Sequence, residues 1–338
     1  MNAVVAWESR RVRAAIVLCL LALAHAGIAY AQPADPLPSW NEGPAKARIL
    51  AFVQAVTDKS GKDFVPPDDR VATFDNDGTL WCEQPIYVQF AFMLDQVKTA
   101  APKHPEWKNN PAFKALVAHD RQALAKLGHK PILELLAVAN SGMSVAAYDK
   151  SIRDWLETAR HPRFKRPYTE LVYKPMQEVL AYLRANGFKT YIVSGGSIEF
   201  MRPWAEKAYG IPPDQVIGTI SQVKFEMKGG APVLMRTPKI DFVDDGPGKP
   251  VGIYRSIGQR PLAAFGNSDG DLQMLQFTAA GSGPRLMLLV HHTDAEREYA
   301  YDRKSSIGRL DKALDEANAR GWTVVSMKTD WKKIFPFE

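Results

Sequence analysis

The sequence predicts an α/β fold: a doubly wound, mostly parallel sheet, Rossmann-like in plan, with an inserted α-helical cap domain. Three observations indicate it. Short apolar strands alternate with amphipathic helices in the first and last parts of the chain, a helical stretch without strands interrupts them at 84–168, and polar residues directly follow several strands. In such sheets ligands bind at the carboxyl ends of the strands, so those polar residues are the candidates for function.

The predicted core comprises residues 32–83 and 169–338. Apolar residues at helical spacing, or in short buried runs, identify its elements. The predicted helices are 45–56, 174–187, 198–209 and 249–258, and the predicted strands are 70–74, 188–193, 261–265 and 285–290. A hairpin at 216–236 is expected to turn at Gly229 and Gly230.

The predicted cap, 84–168, has helices without a convincing strand and resembles an inserted bundle. The predicted helices are 86–99, 111–127, 131–139 and 144–159, followed by a linker at 160–168. Three aromatic residues of this segment, Trp107, Phe113 and Trp155, are expected to pack the bundle rather than to stack on a ligand.

Residues 1–31 have the pattern of a signal peptide. The basic segment SRRVR precedes an apolar run at 14–29, and AYA fits a cleavage site before Gln32. The run is shorter than the ~18 residues of a spanning helix, and an uncleaved anchor is the alternative. We expect a periplasmic or secreted protein that is free of the membrane after cleavage.

Composition and charge are ordinary for a globular protein. Of the 338 residues, 46% are hydrophobic and 24% charged. The formal net charge of +6 falls to +4 without residues 1–31, which hold three arginines and one glutamate. Lys and Arg are scattered among acidic residues, so we expect no nucleic-acid partner. The mild positive field favours anionic small molecules. The oligomeric state is not predicted.

The segment FDNDGTLWCE, 74–83, ends a buried strand in Asp75 and Asp77. A turn at Gly78 follows, and Thr79 offers a hydroxyl group. Alone, this pattern is equally typical of an acidic turn or a helix cap. Glu83 and the next residue, Gln84, are candidates to face a substrate, although a hinge or capping role for Glu83 is an equal alternative. Cys82 is expected to be a small packed hydrophobe.

Two further segments suit an anion. YIVSGGS, 191–197, ends a strand in Ser194, Gly195 and Gly196, whose hydroxyl and main-chain N–H groups can cradle a phosphate. The alternative is an ordinary turn into a helix. Lys249 begins a helix after the loop DDGPG and can act as a point charge. Lys239 is its rival.

A fourth segment, AAFGNSDGDLQML at 263–275, clusters Asn267, Asp269 and Asp271 after a strand. Crowded oxygen ligands of this kind suit a hard cation such as Mg²⁺. The histidines at the end of a later strand, His291 and His292, are expected to have core or surface roles.

In order, the four segments resemble the four motifs of the haloacid dehalogenase superfamily of hydrolases, over roughly 45–290. The layout is similar to phosphoserine phosphatase-like members, whose helical cap lies between the first and second motifs. The resemblance implies that Asp75 is the nucleophile and that Asp77 is the general acid and base.

The resemblance also implies ligands for the substrate and for a metal ion. The implied phosphate-binding residues are Thr79, Ser194, Gly195 and Lys249, and the implied Mg²⁺ ligands are Asp75, Asp77 through its main-chain carbonyl, Asn267 and Asp271. One departure stands out: Asn267 occupies the place of an expected aspartate and supplies one negative charge fewer. We expect weaker metal binding, or a shifted role for Asp269.

A second carboxyl group at Asp77 favours a phosphatase or a phosphomutase within this superfamily, and export weighs against a mutase. The expected function is therefore an exported Mg²⁺-dependent phosphomonoesterase that hydrolyses small phosphate esters through an aspartyl-phosphate. The alternatives are a phosphotransferase that passes the phosphoryl group to an alcohol, and a non-catalytic exported binding module that retains the fold.

Overall fold

The computed structural model describes residues 34–118, 123 and 142–338. Its helices and strands lie in one compact unit, Leu37–Glu338. The expected signal at 1–31, the helix predicted at 131–139 and the end of the helix predicted at 111–127 lie outside the described residues. None of the described helices is both long enough and apolar enough to cross a membrane.

The centre of the fold is a seven-stranded sheet in the order β4-β3-β2-β1-β5-β6-β7. All neighbouring strands are parallel except the antiparallel pair β3 and β4. The strands are β1 Val71–Phe74, β2 Lys189–Ser197, β3 Val216–Lys228, β4 Ala231–Phe242, β5 Ala263–Gly266, β6 Leu286–His291 and β7 Thr323–Ser326. The predicted α/β class with a mostly parallel sheet is confirmed.

Helices connect the parallel strands. The described helices of eight residues or more in the core are α1 Pro44–Thr57, α5 Lys174–Ala185, α6 Ile198–Tyr209, α7 Gly248–Ile257, α8 Leu272–Ala279 and α9 Lys312–Arg320; a short helix, α10 Met327–Asp330, follows β7. Strand β7 and the helix before it, α9, were not predicted from the sequence. A strand of four residues, such as β7, carries little periodicity.

The predicted hairpin is confirmed but is longer than expected, since β4 continues to Phe242. Its turn residues, Gly229 and Gly230, have φ values of 57° and 83°, the left-handed region that tight hairpin turns require. Most of the outer half of this hairpin is exposed.

The cap segment contributes α2 Val88–Ala100, α3 Pro111–Val117 and α4 Val145–Thr158. Part of α2 forms a small apolar cluster with Trp107 and α3. In contrast, Tyr148 and Ile152 of α4 belong to the same core as Phe74 of the sheet. Two described helices of the predicted cap, α2 and α4, therefore share the core of the sheet, whereas α3 packs in the smaller cluster.

The two strands that flank β1 bring the motifs together. In the sheet register Phe74 pairs with Ile192 of β2 on one side and Phe265 of β5 on the other. The rings of Phe74 and Phe265 stack with centroids 4.2 Å apart. Three of the four motifs therefore begin side by side at one edge of the sheet.

Candidate active site

A crevice of about 360 Å³ opens at the carboxyl ends of these strands. Residues from four of the sequence segments, from α2 and from the loop before α7 line it. They are Asp75, Asp77, Glu83, Tyr87, Gln89, Phe90, Met93, Ser194, Gly195, Gly196, Asp245, Lys249 and Ser268. Most of the predicted site residues thus meet in one place, as expected for strand ends in a parallel sheet.

Lys249 is a buried residue of the crevice lining, and its ammonium group links two of the motifs. Its Nζ donates to Asp75 Oδ1 at 2.6 Å, to Asp271 Oδ1 at 2.6 Å and to the Val193 carbonyl at 2.9 Å. These three acceptors match the three protons of an ammonium group. Its rival Lys239 is exposed on β4. Lys249 therefore orients Asp75 and adds a fixed positive charge.

The charges at this point are strongly coupled. Burial alone would lower the pKa of Lys249, but Asp271 and Asp75 raise it above its ordinary value. Burial raises the pKa of Asp75 well above its usual range, and Asp271 adds to the rise while Lys249 opposes it. A cation added beside Asp75 would therefore favour its anionic form.

Asp77 has the environment of a proton carrier. Burial raises its pKa to about 6, although the hydrogen bond from Trp81 Nε1 to Asp77 Oδ1, 2.7 Å long, opposes the rise. A carboxyl group that titrates near neutrality can both give and take a proton in one catalytic cycle.

The turn after Asp77 requires glycine at position 78. Gly78 has a φ of 74°, and a Cβ there would lie 2.1 Å from Asn267 Nδ2 and 2.5 Å from Glu83 Oε1.

The Gly78 carbonyl accepts from His292 Nε2 at 2.8 Å. The other ring nitrogen of His292 faces Glu298 Oε2 at 3.2 Å. His292 is thus buried behind the first motif, which matches the expected core role.

Asn267 has a defined orientation. Its Nδ2 donates to Glu83 Oε1 at 2.8 Å, while its Oδ1 accepts from Thr79 Oγ1 at 3.1 Å. An amide oxygen has two lone pairs, so one remains for a cation. The hydroxyl of Thr79 is fully buried and does not line the crevice. Contrary to the sequence-based expectation, Thr79 contacts Asn267 rather than the space for a phosphate.

The two aspartates of the fourth motif have different partners. Asp271 is fully buried, and its Oδ2 accepts from the main-chain N–H groups of Asn267 at 2.9 Å and Ser268 at 3.0 Å. The bond from Lys249 uses one lone pair of Asp271 Oδ1, so this oxygen can still accept a metal ion. Asp269 Oδ1 accepts from the N–H groups of Asp311 and Ala313 at the start of α9, both at 2.9 Å. This shifted role favours Asn267 over Asp269 as a metal ligand.

The second motif supplies the Ser194 hydroxyl near the carboxyl end of β2. Ser194 Oγ accepts from the Gly196 N–H at 3.1 Å, which leaves its own proton free to donate into the crevice. Gln89 of α2 was not predicted; its Oε1 accepts from Ser197 N at 2.8 Å and its Nε2 donates to Ser197 Oγ at 3.2 Å. Gln89 therefore ties the cap segment to this motif. A lone polar residue in the apolar start of α2 was the available signal.

Glu83 and Gln84 differ in position. Glu83 is buried beside Asn267, and Tyr301 OH donates to its Oε1 at 2.8 Å. Burial raises the pKa of Glu83 well above its usual range, and the hydrogen bond from Tyr301 opposes the rise. Gln84 Nε2 donates to the Ile307 carbonyl at 3.2 Å, so its amide is directed to the C-terminal loop and does not line the crevice. No sequence signal indicated Tyr301.

The residues present fit a divalent cation. Among the described residues, no three His, Cys, Asp or Glu side chains are grouped to hold a metal ion. The predicted set needs no such group, since it combines the carboxylates of Asp75 and Asp271 with the Asp77 main-chain carbonyl and the Asn267 amide oxygen. The carboxylates of Asp75, Asp77, Glu83 and Asp271 outnumber the one ammonium group. Hard oxygen donors and excess negative charge suit Mg²⁺.

Comparison with protein families decides the affiliation. The family described as haloacid dehalogenase-like hydrolase matches residues 72–276, more than half of the chain. The chain belongs to this family. The match spans all four motifs and the cap segment, so the residues around Asp75 are those of a hydrolase in this family. A comparison with the curated proteins gives no match.

The chain is also similar to several solved structures. A protein from Anaerococcus prevotii DSM 20548, described as functionally unknown, is 14% identical, with 88% of this chain and 97% of that chain covered and a TM-score of 0.55. A protein of unknown function from Bordetella pertussis Tohama I is 17% identical, with 76% and 98% covered and a TM-score of 0.48. A probable phosphoserine phosphatase from Vibrio cholerae is 15% identical, with 73% and 64% covered and a TM-score of 0.39.

Proposed function

We propose that this hydrolase is an exported, Mg²⁺-dependent phosphomonoesterase that acts on small phosphate esters through an aspartyl-phosphate on Asp75. The observation that carries the proposal is the position of Asp75: it lines the crevice with one carboxylate oxygen 2.6 Å from the buried Lys249 ammonium, and Asp77 lines the same crevice. This arrangement supplies a nucleophile, a positive charge and a proton carrier.

In the first half of the reaction, a carboxylate oxygen of Asp75 attacks phosphorus. The bond between phosphorus and the ester oxygen breaks, and its electron pair goes to that oxygen. The carboxyl group of Asp77 gives its proton to the leaving oxygen, so the alcohol departs neutral. Lys249 compensates negative charge below the reacting group, and the Ser194 hydroxyl donates to a phosphoryl oxygen.

In the second half, the Asp77 carboxylate removes a proton from water, and the water oxygen attacks phosphorus. The bond between phosphorus and Asp75 breaks, which restores the Asp75 carboxylate and releases inorganic phosphate. A bound Mg²⁺ would be held by Asp75, Asp271, the Asp77 carbonyl and Asn267, and it would neutralise charge on the phosphoryl oxygens.

The test of the proposal is hydrolysis of p-nitrophenyl phosphate by the protein with Mg²⁺ and with EDTA, beside Asp75→Asn. We expect turnover that requires Mg²⁺ and is lost in the variant. Metal-independent turnover, or full activity of Asp75→Asn, would overturn the mechanism. An added acceptor alcohol distinguishes hydrolysis from transfer, because only a phosphotransferase forms a phosphorylated alcohol.

The export part of the proposal depends on the pattern of residues 1–31. Its test is expression of the full chain in a bacterial host, followed by fractionation and N-terminal sequencing. We expect the protein outside the cytoplasm with Gln32 as its first residue. A cytoplasmic protein that retains its first 31 residues would contradict export and leave the catalytic proposal intact.

A further inference from the structure

The part of the crevice away from Asp75 must hold the alcohol part of a substrate, and its walls are of two kinds. One wall is apolar or aromatic and comes from the cap segment: Tyr87, Phe90 and Met93. The rest of the lining includes four acidic side chains: Asp75, Asp77, Glu83 and Asp245. This contrast constrains the charge of any alcohol that the crevice admits.

Positive charge is scarce at this site. Lys249 is the one Lys or Arg among the described residues that line the crevice. Its three N–H groups already face Asp75, Asp271 and the Val193 carbonyl. Among the residues that the structure describes, a carboxylate or second phosphate on the substrate would therefore find no cationic partner there, and an unpaired anion in such a site is costly.

Negative charge remains at the rim. Asp245 is exposed beside the second and fourth motifs: a Cβ on Gly195 would lie 3.4 Å from its Cγ, and one on Gly270 would lie 2.7 Å from its Oδ1. Among the described residues, no Lys, Arg or His forms an ion pair with Asp245. Its charge therefore acts on whatever lies at the mouth of the crevice.

We propose, on the basis of the phosphomonoesterase function, that the substrate is a monoester whose alcohol part carries a positive charge and no second anionic group. Asp245 would attract the cation, and the aromatic faces of Tyr87 and Phe90 favour an ammonium group over a carboxylate. The carboxylates that line the crevice would repel an anionic group on the alcohol part of a substrate. The crevice therefore selects its substrate by repulsion as well as by attraction.

The test compares kcat/KM for three esters whose leaving groups are all primary alkyl alcohols: O-phosphoethanolamine, ethyl phosphate and O-phosphoserine. The first adds an ammonium group to ethyl phosphate, and the last adds a carboxylate to the first. We expect values to fall in that order, with at least about tenfold between phosphoethanolamine and phosphoserine, as one good charge contact provides.

Asp245→Asn should narrow the ratio between phosphoethanolamine and phosphoserine. Asp241→Asn is the matched control, since Asp241 is an exposed aspartate of β4 that does not line the crevice. We expect this control to keep the wild-type ratio. An effect of equal size in both variants would overturn the assignment to Asp245.

The outcomes separate this inference from the function on which it rests. Equal rates, or a preference for phosphoserine, would overturn the inference and leave the phosphomonoesterase intact. Hydrolysis of p-nitrophenyl phosphate without turnover of any of the three alkyl esters would do the same. Absence of hydrolysis for all four compounds would contradict the function itself, and the inference with it.

Discussion

Glu83 and Asn267 form a hydrogen-bonded pair beside the first motif: Asn267 Nδ2 donates to Glu83 Oε1 at 2.8 Å. This bond fixes the orientation of the amide, so that its oxygen faces Thr79. Asn267 occupies the place of an expected aspartate and lacks its charge. Glu83, which lies within hydrogen-bond distance, adds a carboxylate next to that position and can offset the loss.

Replacing Glu83 with alanine should therefore weaken metal binding. The Asn267 amide would lose its fixed orientation, and the site would lose one carboxylate. Partners that orient a metal ligand typically contribute 10–100-fold in affinity, so we expect the Mg²⁺ concentration for half-maximal activity to rise by about that factor. Glu83→Gln keeps one acceptor oxygen without the charge and separates the two causes. An unchanged Mg²⁺ requirement in Glu83→Ala would contradict this role.

Gly78→Ala should abolish the geometry of the turn. Its Cβ would lie 2.1 Å from Asn267 Nδ2, and its φ of 74° is unfavourable for alanine. Gly230→Ala is the matched control: its φ is 83°, but nothing lies within 4 Å of its Cβ. We expect a cost of ~1–2 kcal/mol for the control, from backbone strain alone.

The measurements for this pair are urea unfolding and p-nitrophenyl phosphate hydrolysis. Gly78→Ala should lose more stability than Gly230→Ala and most of its activity, whereas the control should retain activity. Equal losses in the two variants would mean that backbone strain, and not the contact with Asn267, determines the need for glycine.

Removing the charge of Lys249 should destabilise the fold. Lys249→Met leaves Asp75 and Asp271 facing each other in a buried position, and breaking a buried ion pair of this kind costs ~3–5 kcal/mol. Lys239→Met, on the exposed surface of β4, should change the free energy of unfolding by less than about 0.5 kcal/mol.

A second substitution tests the cause. Asp271→Asn added to Lys249→Met removes the facing charge and should recover part of the lost stability. If urea unfolding shows no recovery in the double variant, lost packing around the lysine stem explains the effect better than charge does.

Asp244 should make stability depend on pH. It is fully buried, close to the Lys249 ammonium group and to the Asp245 carboxylate. Burial raises its pKa from 3.8 to about 7 in the folded protein, with Lys249 opposing the rise. The folded state therefore binds this proton more tightly than the unfolded state, and stability falls as pH rises from about 4 to about 7.

Asp244→Asn should remove this component. Between pH 5 and pH 8 the free energy of unfolding of the wild type should fall by roughly 2 kcal/mol more than that of the variant, which is the size that the shift implies. Urea unfolding at the two pH values measures it. An identical pH dependence in both proteins would show that Asp244 is not the titrating group.

Part of the site was predictable because strand ends in a parallel sheet converge. Asp75, Ser194 and Asn267 each follow an apolar strand, so their meeting required only that β1, β2 and β5 be neighbours. Lys249 was distinguishable from Lys239 because it begins a helix next to the fourth motif. These inferences depend on local patterns and on a general rule of topology.

The rest depended on contacts that local sequence does not encode. Tyr301 reaches Glu83 across 218 residues, and no periodicity indicates such a return of the chain. The direction of the Thr79 hydroxyl, toward Asn267 instead of the crevice, is a matter of rotamer and packing. Likewise, the sequence made Asp269 a candidate metal ligand, because helix α9 was not predicted. In the structure Asp269 instead accepts hydrogen bonds from main-chain N–H groups at the start of α9.

The central claim is that Asp75 carries the phosphoryl group, and the most direct measurement is the mass of acid-quenched protein during turnover of p-nitrophenyl phosphate. Asp77→Asn should slow release of the group and accumulate protein heavier by one phosphoryl group, which peptide mapping should place on Asp75. Asp75→Asn should show no such species. Turnover by Asp77→Asn without any phosphorylated protein, or a phosphoryl group mapped to another residue, would contradict the account.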